Sequence, residues 1–352
     1  MDLRVVRGVA FAALVFFLVQ VGALSLVEPF QSAGYQAVED PSDPTNSLVY
    51  LGAILVATGF MLAAFKYDFD RAVKGVVLLS SALVSWYVFG VVVPPVVTYG
   101  SLNVLAAAFA LAVAGALLVY PEWYVVDTAG VVMGAGAAGL FGISFGLLPA
   151  VVLLSALAVY DAVSVYGTEH MLDLAEGVMD LRVPVILVIP LSWSYSLLED
   201  DFSGASGVHD EGDGGTETTD SATTDSATGP PETSDGGDAA AESEAESPVS
   251  ERDAFFIGLG DAVMPSVMIA SAAFFSPAAS LGVSWLPALN LPALTSMVGT
   301  FLGLGVLLWA VMKGRAHAGL PLLNGGAIAG YLVGAVVSGV PLVRALGLAP
   351  YL

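Results

Sequence analysis

AFFIGLGDAVMPSVMIASAAFFS, Ala254 to Ser276, carries one charged side chain, Asp261, in an otherwise apolar run. About 20 such residues suffice to cross a bilayer as a helix. A carboxylate inside the hydrocarbon is costly, and its presence there marks function. A second run has the same character: PAVVLLSALAVYDAVSVYG, Pro149 to Gly167, whose one charge is Asp161. The two aspartates read as the only acidic side chains well inside the long apolar segments.

Outward from these runs the chain continues in kind. It has 352 residues, 57% hydrophobic and 12% charged, with a mean hydropathy of +0.82, a composition that excludes a soluble globular protein. Spanning runs are read at Gly8 to Val27, Ser47 to Phe65, Gly75 to Tyr99, Leu102 to Tyr120, Thr128 to Leu148, Pro149 to Gly167, Ala254 to Ser276, Pro292 to Met312 and Gly319 to Val340. The expected fold is an all-α polytopic membrane protein of nine transmembrane helices. The fifth and sixth runs are divided only near Leu148-Pro149, but together they are too long for one crossing and fit a tight hairpin.

Lys and Arg collect in cytoplasmic loops. With the N-terminus cytoplasmic and the C-terminus outside, nine crossings put Arg4, Arg7, Lys66, Arg71, Lys74, Arg182, Arg252, Lys313 and Arg315 inside and only Arg344 outside. Merging the fifth and sixth runs would scatter these charges across both sides. The first run is read as a crossing rather than a signal peptide, since it is long and no small-x-small cleavage site follows it.

The formal charge of -22 belongs mainly to one loop, because 17 of the 32 Asp and Glu residues fall between Glu199 and Asp253. That stretch is rich in Ser, Thr, Gly and Ala and reads as a disordered acidic linker. Such a surface suits the salty cytoplasm of a halophilic prokaryote. Ahead of it, Thr168 to Arg182 reads as an amphipathic surface helix, and Val183 to Ser196, interrupted by Pro184 and Pro190, as an interfacial or groove-filling stretch. The expected divisions are 1–127, a four-helix scaffold; 128–198, carrying Asp161; 199–253, the linker; and 254–352, carrying Asp261. Cysteine is absent, which excludes disulfides and thiolate metal sites, and no basic patch exists to bind nucleic acid.

Counted inward from Thr168 and Asp253, the aspartates lie seven and eight residues deep, roughly 10 and 12 Å at a helical rise. Antiparallel neighbours would bring them level. Like charges about 3 Å apart cannot both ionise, so such a pair holds one proton between them. Gly258 and Gly260 remove side chains beside Asp261, and Pro265 weakens the helix beyond it. The competing reading of each aspartate alone is a helix cap or a bond to a nearby hydroxyl.

Tyr160-Asp161, Gly258-Leu259-Gly260-Asp261 and a proline-leucine string at the last helix together resemble the presenilin and signal peptide peptidase family of intramembrane aspartyl proteases. The resemblance spans nearly the whole chain except the acidic loop, and implies that Asp161 and Asp261 are the catalytic pair. It also implies that Tyr160, Gly258, Leu259, Gly260 and the proline string position substrate. The orientation is like that of presenilin, whereas Pro265 is closer to signal peptide peptidase. Three stretches could supply the family's Pro-Ala-Leu string. Pro287-Ala288-Leu289 and Pro292-Ala293-Leu294 match its letters but are expected outside, while Pro321-Leu322-Leu323 departs by one residue yet opens the last helix on the cytoplasmic side. Position favours Pro321, Leu322 and Leu323, with Asn324, Gly325 and Gly326 giving room beside them.

Other strings fail on context. Gly134-Ala135-Gly136-Ala137-Ala138-Gly139 imitates a dinucleotide fingerprint but lies mid-membrane without a preceding strand, so it reads as a helix-packing face. Gly142-Ile143-Ser144-Phe145-Gly146 imitates a nucleophile elbow without a histidine in any crossing. His170, His209 and His317 are scattered, and no metal or other cofactor is expected. The expected partners are the lipid bilayer and transmembrane helical substrates or signal-peptide remnants; a homo-oligomer is left open. A transporter using paired carboxylates is the alternative from another class, and a silent membrane scaffold is a third. The resemblance also raises self-cleavage within Val183 to Ser196.

Overall fold

The computed structural model describes residues 3–67, 69–167, 184–192, 195–198, 254–313 and 318–349. The surface helix expected over Thr168 to Arg182 and the linker from Glu199 to Asp253 lie outside the described residues. Nine main helices stand among the described residues: α1 (Leu3–Ser32), α2 (Thr45–Lys66), α3 (Asp70–Val92), α4 (Val104–Val119), α5 (Trp123–Ser144), α6 (Leu147–Gly167), α7 (Leu259–Phe275), α8 (Leu291–Val311) and α9 (Gly319–Val337). A one-turn helix, α10 (Leu342–Ala345), follows. Seven of them are long and apolar enough to cross a membrane, while α4 and α7 are shorter, at 16 and 17 residues. A two-residue ladder, β1 (Thr98–Tyr99) with β2 (Leu102–Asn103), closes the turn between α3 and α4.

The largest departure from expectation lies just before α7. Ala254 to Gly258 is a strand, β4, paired antiparallel with β3 (Ile186–Pro190) in the register Ile186 to Gly258 and Pro190 to Ala254. Hydropathy alone made the first five residues of the seventh run look helical. Phe255, Phe256 and Ile257 are strand formers, as are Ile186, Val188 and Ile189, and Pro184 and Pro190 bound the partner strand where a missing amide costs least. The groove-filling stretch is therefore half of a buried hairpin: Leu187 and Ile189 pack with Phe16, Ala262, Leu304 and Leu323, and Val188 packs with Leu117, Val126 and Ala129.

Helix directions alternate around that hairpin. A Cβ on Gly8, near the start of α1, would lie 2.7 Å from Leu191. The far end of α1 leads to Gln36 and Ala37, which donate to the Ile143 carbonyl at 2.9 Å and the Ser144 hydroxyl at 3.0 Å at the end of α5. α1 and α5 thus run parallel. α2 and α6 begin together at the opposite end, where the Ser47 hydroxyl donates to the Pro149 carbonyl at 2.7 Å. The division near Leu148-Pro149 is a real hairpin, with only Phe145 and Gly146 between the helices.

Close helix contact is made by small residues, as it must be where lipid removes the hydrophobic drive between spans. A Cβ on Gly136 would press Val88 and Val84 of α3, and one on Gly139 would press Phe30 of α1 at 3.1 Å. The glycine-alanine string of α5 is accordingly a packing face. α8 and α9 approach still more closely, since added carbons at Gly299 or Gly303 would collide with the carbonyls of Gly326 or Leu322. By contrast, Leu48, Val56, Phe60, Leu79 and Leu83 on α2 and α3 are exposed, a lipid-facing surface.

Asp161 and Asp261 have more acidic company than expected. Glu122 and Asp127, at the start of α5, are also buried. The fifth run, read from Thr128, omits the first five residues of α5, which starts at Trp123 and includes Asp127.

Candidate active site

The end of α6 and the first turns of α7 and α9 converge beneath the β3–β4 hairpin. Asp161 sits six residues before the end of α6 and is buried, with 8% of its surface exposed. Its Oδ2 accepts the amide N–H of Leu320 at 3.0 Å. Five residues along α6, the Tyr166 hydroxyl accepts from the Ala318 amide at 3.4 Å. These bonds dock the opening turn of α9 onto α6. They also satisfy amides that a helix N-terminus leaves without partners, and place a carboxylate at the positive end of the helix.

Asp261 approaches the same turn from the other side. A Cβ built on Gly319 would lie 3.2 Å from its Oδ2 and 3.4 Å from its Oδ1 and Cγ. The Gly319–Leu320 backbone is therefore held between the two carboxylates, and a side chain at position 319 would press on the Asp261 carboxylate. Asp261 reaches this place as the third residue of α7, directly after a strand, so depth counted by helical rise from Asp253 does not apply. What brings the two aspartates together is α9.

The residues around Asp261 divide by task. Gly258 caps α7, and a Cβ there would lie 3.7 Å from Asp261 Oδ2; at Gly260 nothing lies within 4 Å. Leu259 turns into the helices, where its Cδ1 would meet a Cβ on Gly134 at 3.2 Å. Pro265 is buried within α7 and removes the amide that would bond the Asp261 carbonyl. A cavity of about 170 Å³ between α1, β4 and α8 reaches Asp261 and Gly319, walled by Ile257, Leu307 and Val311. Tyr160 is 38% exposed, turned to a different side of α6 from Asp161.

Of the three proline strings, the structure brings only Pro321 near the carboxylates, two residues beyond Gly319. Pro292 begins α8 at the opposite end, where a Cβ on Gly334 would meet its Cα at 2.7 Å, and the Pro287 carbonyl accepts from Ser280 in the loop before α8. Pro321 does not break the helix, because the first turn has no use for its missing amide. Leu323 is fully buried in the core, and Asn324 donates to the Leu154 carbonyl at 3.1 Å. Sequence reasoning missed Gly319, Leu320 and Tyr166; the readable signal was a glycine opening the last helix just after a basic loop.

The family described as signal-peptide peptidase, presenilin aspartyl protease matches residues 13–340. Among solved structures, a presenilin family intramembrane aspartate protease in the C222 space group is 29% identical with a TM-score of 0.58, covering 94% of this chain and 99% of that one. Another in the P2 space group is 29% identical with a TM-score of 0.56, covering 92% and 96%. A comparison with curated protein sequences gives no match. Nothing in these likenesses supports the transporter alternative. A match over nearly the whole chain, on a helical membrane fold whose two intramembrane aspartates meet at one helix start, places the chain in the signal-peptide peptidase and presenilin family of intramembrane aspartyl proteases.

Proposed function

We propose that Asp161 and Asp261 are the catalytic dyad, hydrolysing peptide bonds within transmembrane segments of membrane proteins or signal-peptide remnants. The observation that carries this reading is the approach of both carboxylates to the Gly319–Leu320 backbone. One aspartate, ionised, takes a proton from a water molecule as its oxygen attacks the scissile carbonyl carbon. The other, protonated, hydrogen-bonds the carbonyl oxygen and supplies a proton as the C–N bond breaks. The products are a carboxyl and an amine, and the pair is left sharing one proton.

A helical substrate hides its carbonyls in internal hydrogen bonds, so the segment must unwind before attack. Gly258 lines the cavity beside Asp261, and Pro321 and Leu322 stand in the turn that follows Gly319; the substrate-positioning role of Tyr160, Leu259, Gly260 and Leu323 rests on the family resemblance alone. The nine main helices cross the bilayer with the hairpin end cytoplasmic, as supported by Arg4, Arg7, Lys66, Arg71, Lys74 and Lys313 at that end. Water enters from the same side.

The test is cleavage of a single-span peptide by the purified full-length protein in detergent, comparing wild type with Asp161→Ala and Asp261→Ala. Each change alone removes turnover, by on the order of a hundredfold or more. Proteolysis that survives either substitution rejects the dyad.

A further inference from the structure

Asp127 plays no part in the chemistry above, yet it is a buried carboxylate in a membrane-spanning helix. Its exposure is 4%, its Oδ1 accepts the Val188 amide at 2.7 Å, and its Oδ2 has no partner among the described residues. A carboxylate in such surroundings is expensive. Its value must lie in what the bonded oxygen holds.

Val188 is in β3, opposite Phe256 of β4. The ladder continues past the strands, where the Leu259 amide donates to the Val185 carbonyl at 2.8 Å. By the alternation of antiparallel pairing, the Val188 amide points away from β4. Asp127 therefore binds the outer edge of β3 without disturbing the strand pair. One turn along α5, a Cβ on Gly130 would lie 2.9 Å from Leu187, and a Cβ on Gly134 would lie 3.2 Å from Leu259 and 3.3 Å from Val263. The face Asp127, Gly130 and Gly134 is thus a seat for the hairpin and for the first turn of α7. Glu122 adds a second tie, accepting from the Leu197 amide at 3.0 Å and the Ser196 hydroxyl at 2.6 Å.

We infer that Asp127 is a positioning residue for the proteolytic site: by fixing the outer edge of β3 to α5, it sets where β4 delivers Asp261 against Gly319. Asp261 lies three residues beyond β4, too few to absorb a displaced strand. A shift of the hairpin on α5 becomes a shift of the carboxylate, and misplacement of a reacting group by about 1 Å is enough to lose a large factor in rate. The inference rests on the dyad reading.

The experiment measures kcat, KM and melting temperature for full-length protein in detergent, cleaving a single-span peptide. Asp127→Leu removes the acceptor and lowers kcat about tenfold or more, with KM within threefold of wild type. Asp127→Asn keeps an acceptor oxygen and holds kcat within threefold. Val188→Pro removes the donor from the other side, leaves the strand pairing intact, and gives the same loss of kcat; it decides the matter if Asp127→Leu does not fold. Wild-type kcat in Asp127→Leu or Val188→Pro, or an Asp127→Asn protein as impaired as Asp127→Leu, overturns the inference. Asp261→Ala in the same assay separates the cases. If that variant still cleaves, the dyad itself fails; if it is inactive while the Asp127 and Val188 variants turn over normally, only the positioning role fails.

Discussion

The Leu320 amide donates to Asp161 Oδ2 at 3.0 Å, and the residue before it, Gly319, lies against Asp261. One peptide unit of α9 therefore measures the gap between the carboxylates of α6 and α7. Neither aspartate needs contact along the faces of α6 and α7 to be brought level, because a third helix gauges both.

Gly319→Ala tests that gauge. The added carbon would stand 3.2 to 3.4 Å from three atoms of the Asp261 carboxylate, tight enough to push it or the α9 backbone aside. Alanine is otherwise favourable in a helix, so the melting temperature should hold or rise slightly while turnover falls roughly tenfold or more. Unchanged cleavage kinetics in a folded Gly319→Ala protein would mean that the turn does not set the spacing.

The proline strings can be separated by activity. Pro321 stands in the first turn of α9, beside Gly319 and Leu320, whereas Pro292 and Pro287 are at the other end of α8 or in the loop before it. Pro321→Ala is expected to lower kcat/KM several-fold by restoring freedom to the turn that binds Asp161. Pro287→Ala and Pro292→Ala should cleave at wild-type rates. Equal effects from all three, in one peptide assay, would remove the positional argument for Pro321.

Stability should be most sensitive where α8 and α9 touch. Gly326 lies so close to Gly299 that a Cβ on either would collide with the other's carbonyl. Gly326→Ala cannot be accommodated by rotamer change, and overpacking of this kind costs about 1 to 3 kcal/mol. Thermal melting in detergent should show the loss, and Gly325→Ala is the matched control, since nothing lies within 4 Å of a Cβ there. Comparable melting of the two variants would argue against the tight contact.

Hydropathy and charge revealed the helices and their order, because a bilayer imposes length and polarity on each span. The strings around Asp161 and Asp261 were readable for the same reason, as costly charges in apolar runs. Three features escaped. Ala254 to Gly258 is as apolar as a helix and differs only in its aromatic and β-branched content, so the strand was hidden inside the seventh run. Asp127 is flanked by Thr128 and lies near Glu122, which made a buried latch look like a polar loop. Pairing between β3 and β4 spans more than sixty positions of sequence, and no local periodicity announces it. Gly319 was overlooked for a related reason: its role depends on what lies across from it.

Asn290 offers a prediction at the end of the molecule away from the site. Its side-chain oxygen accepts the Ala293 amide at 2.9 Å as the cap of α8, while its nitrogen donates to the Ala272 carbonyl at 2.9 Å at the end of α7. One buried side chain thus closes both helix ends. Asn290→Ala loses the cap and one of the two donors to the Ala272 carbonyl, which keeps the Ser276 amide at 3.2 Å, a combined cost of about 1 to 2 kcal/mol. The melting temperature should drop, yet the folded fraction should keep wild-type kcat and KM, because the proposed dyad is held by α6, the hairpin and the start of α9. A fall in kcat in parallel with the melt would instead tie the α7–α8 corner to the chemistry at the far end of α7.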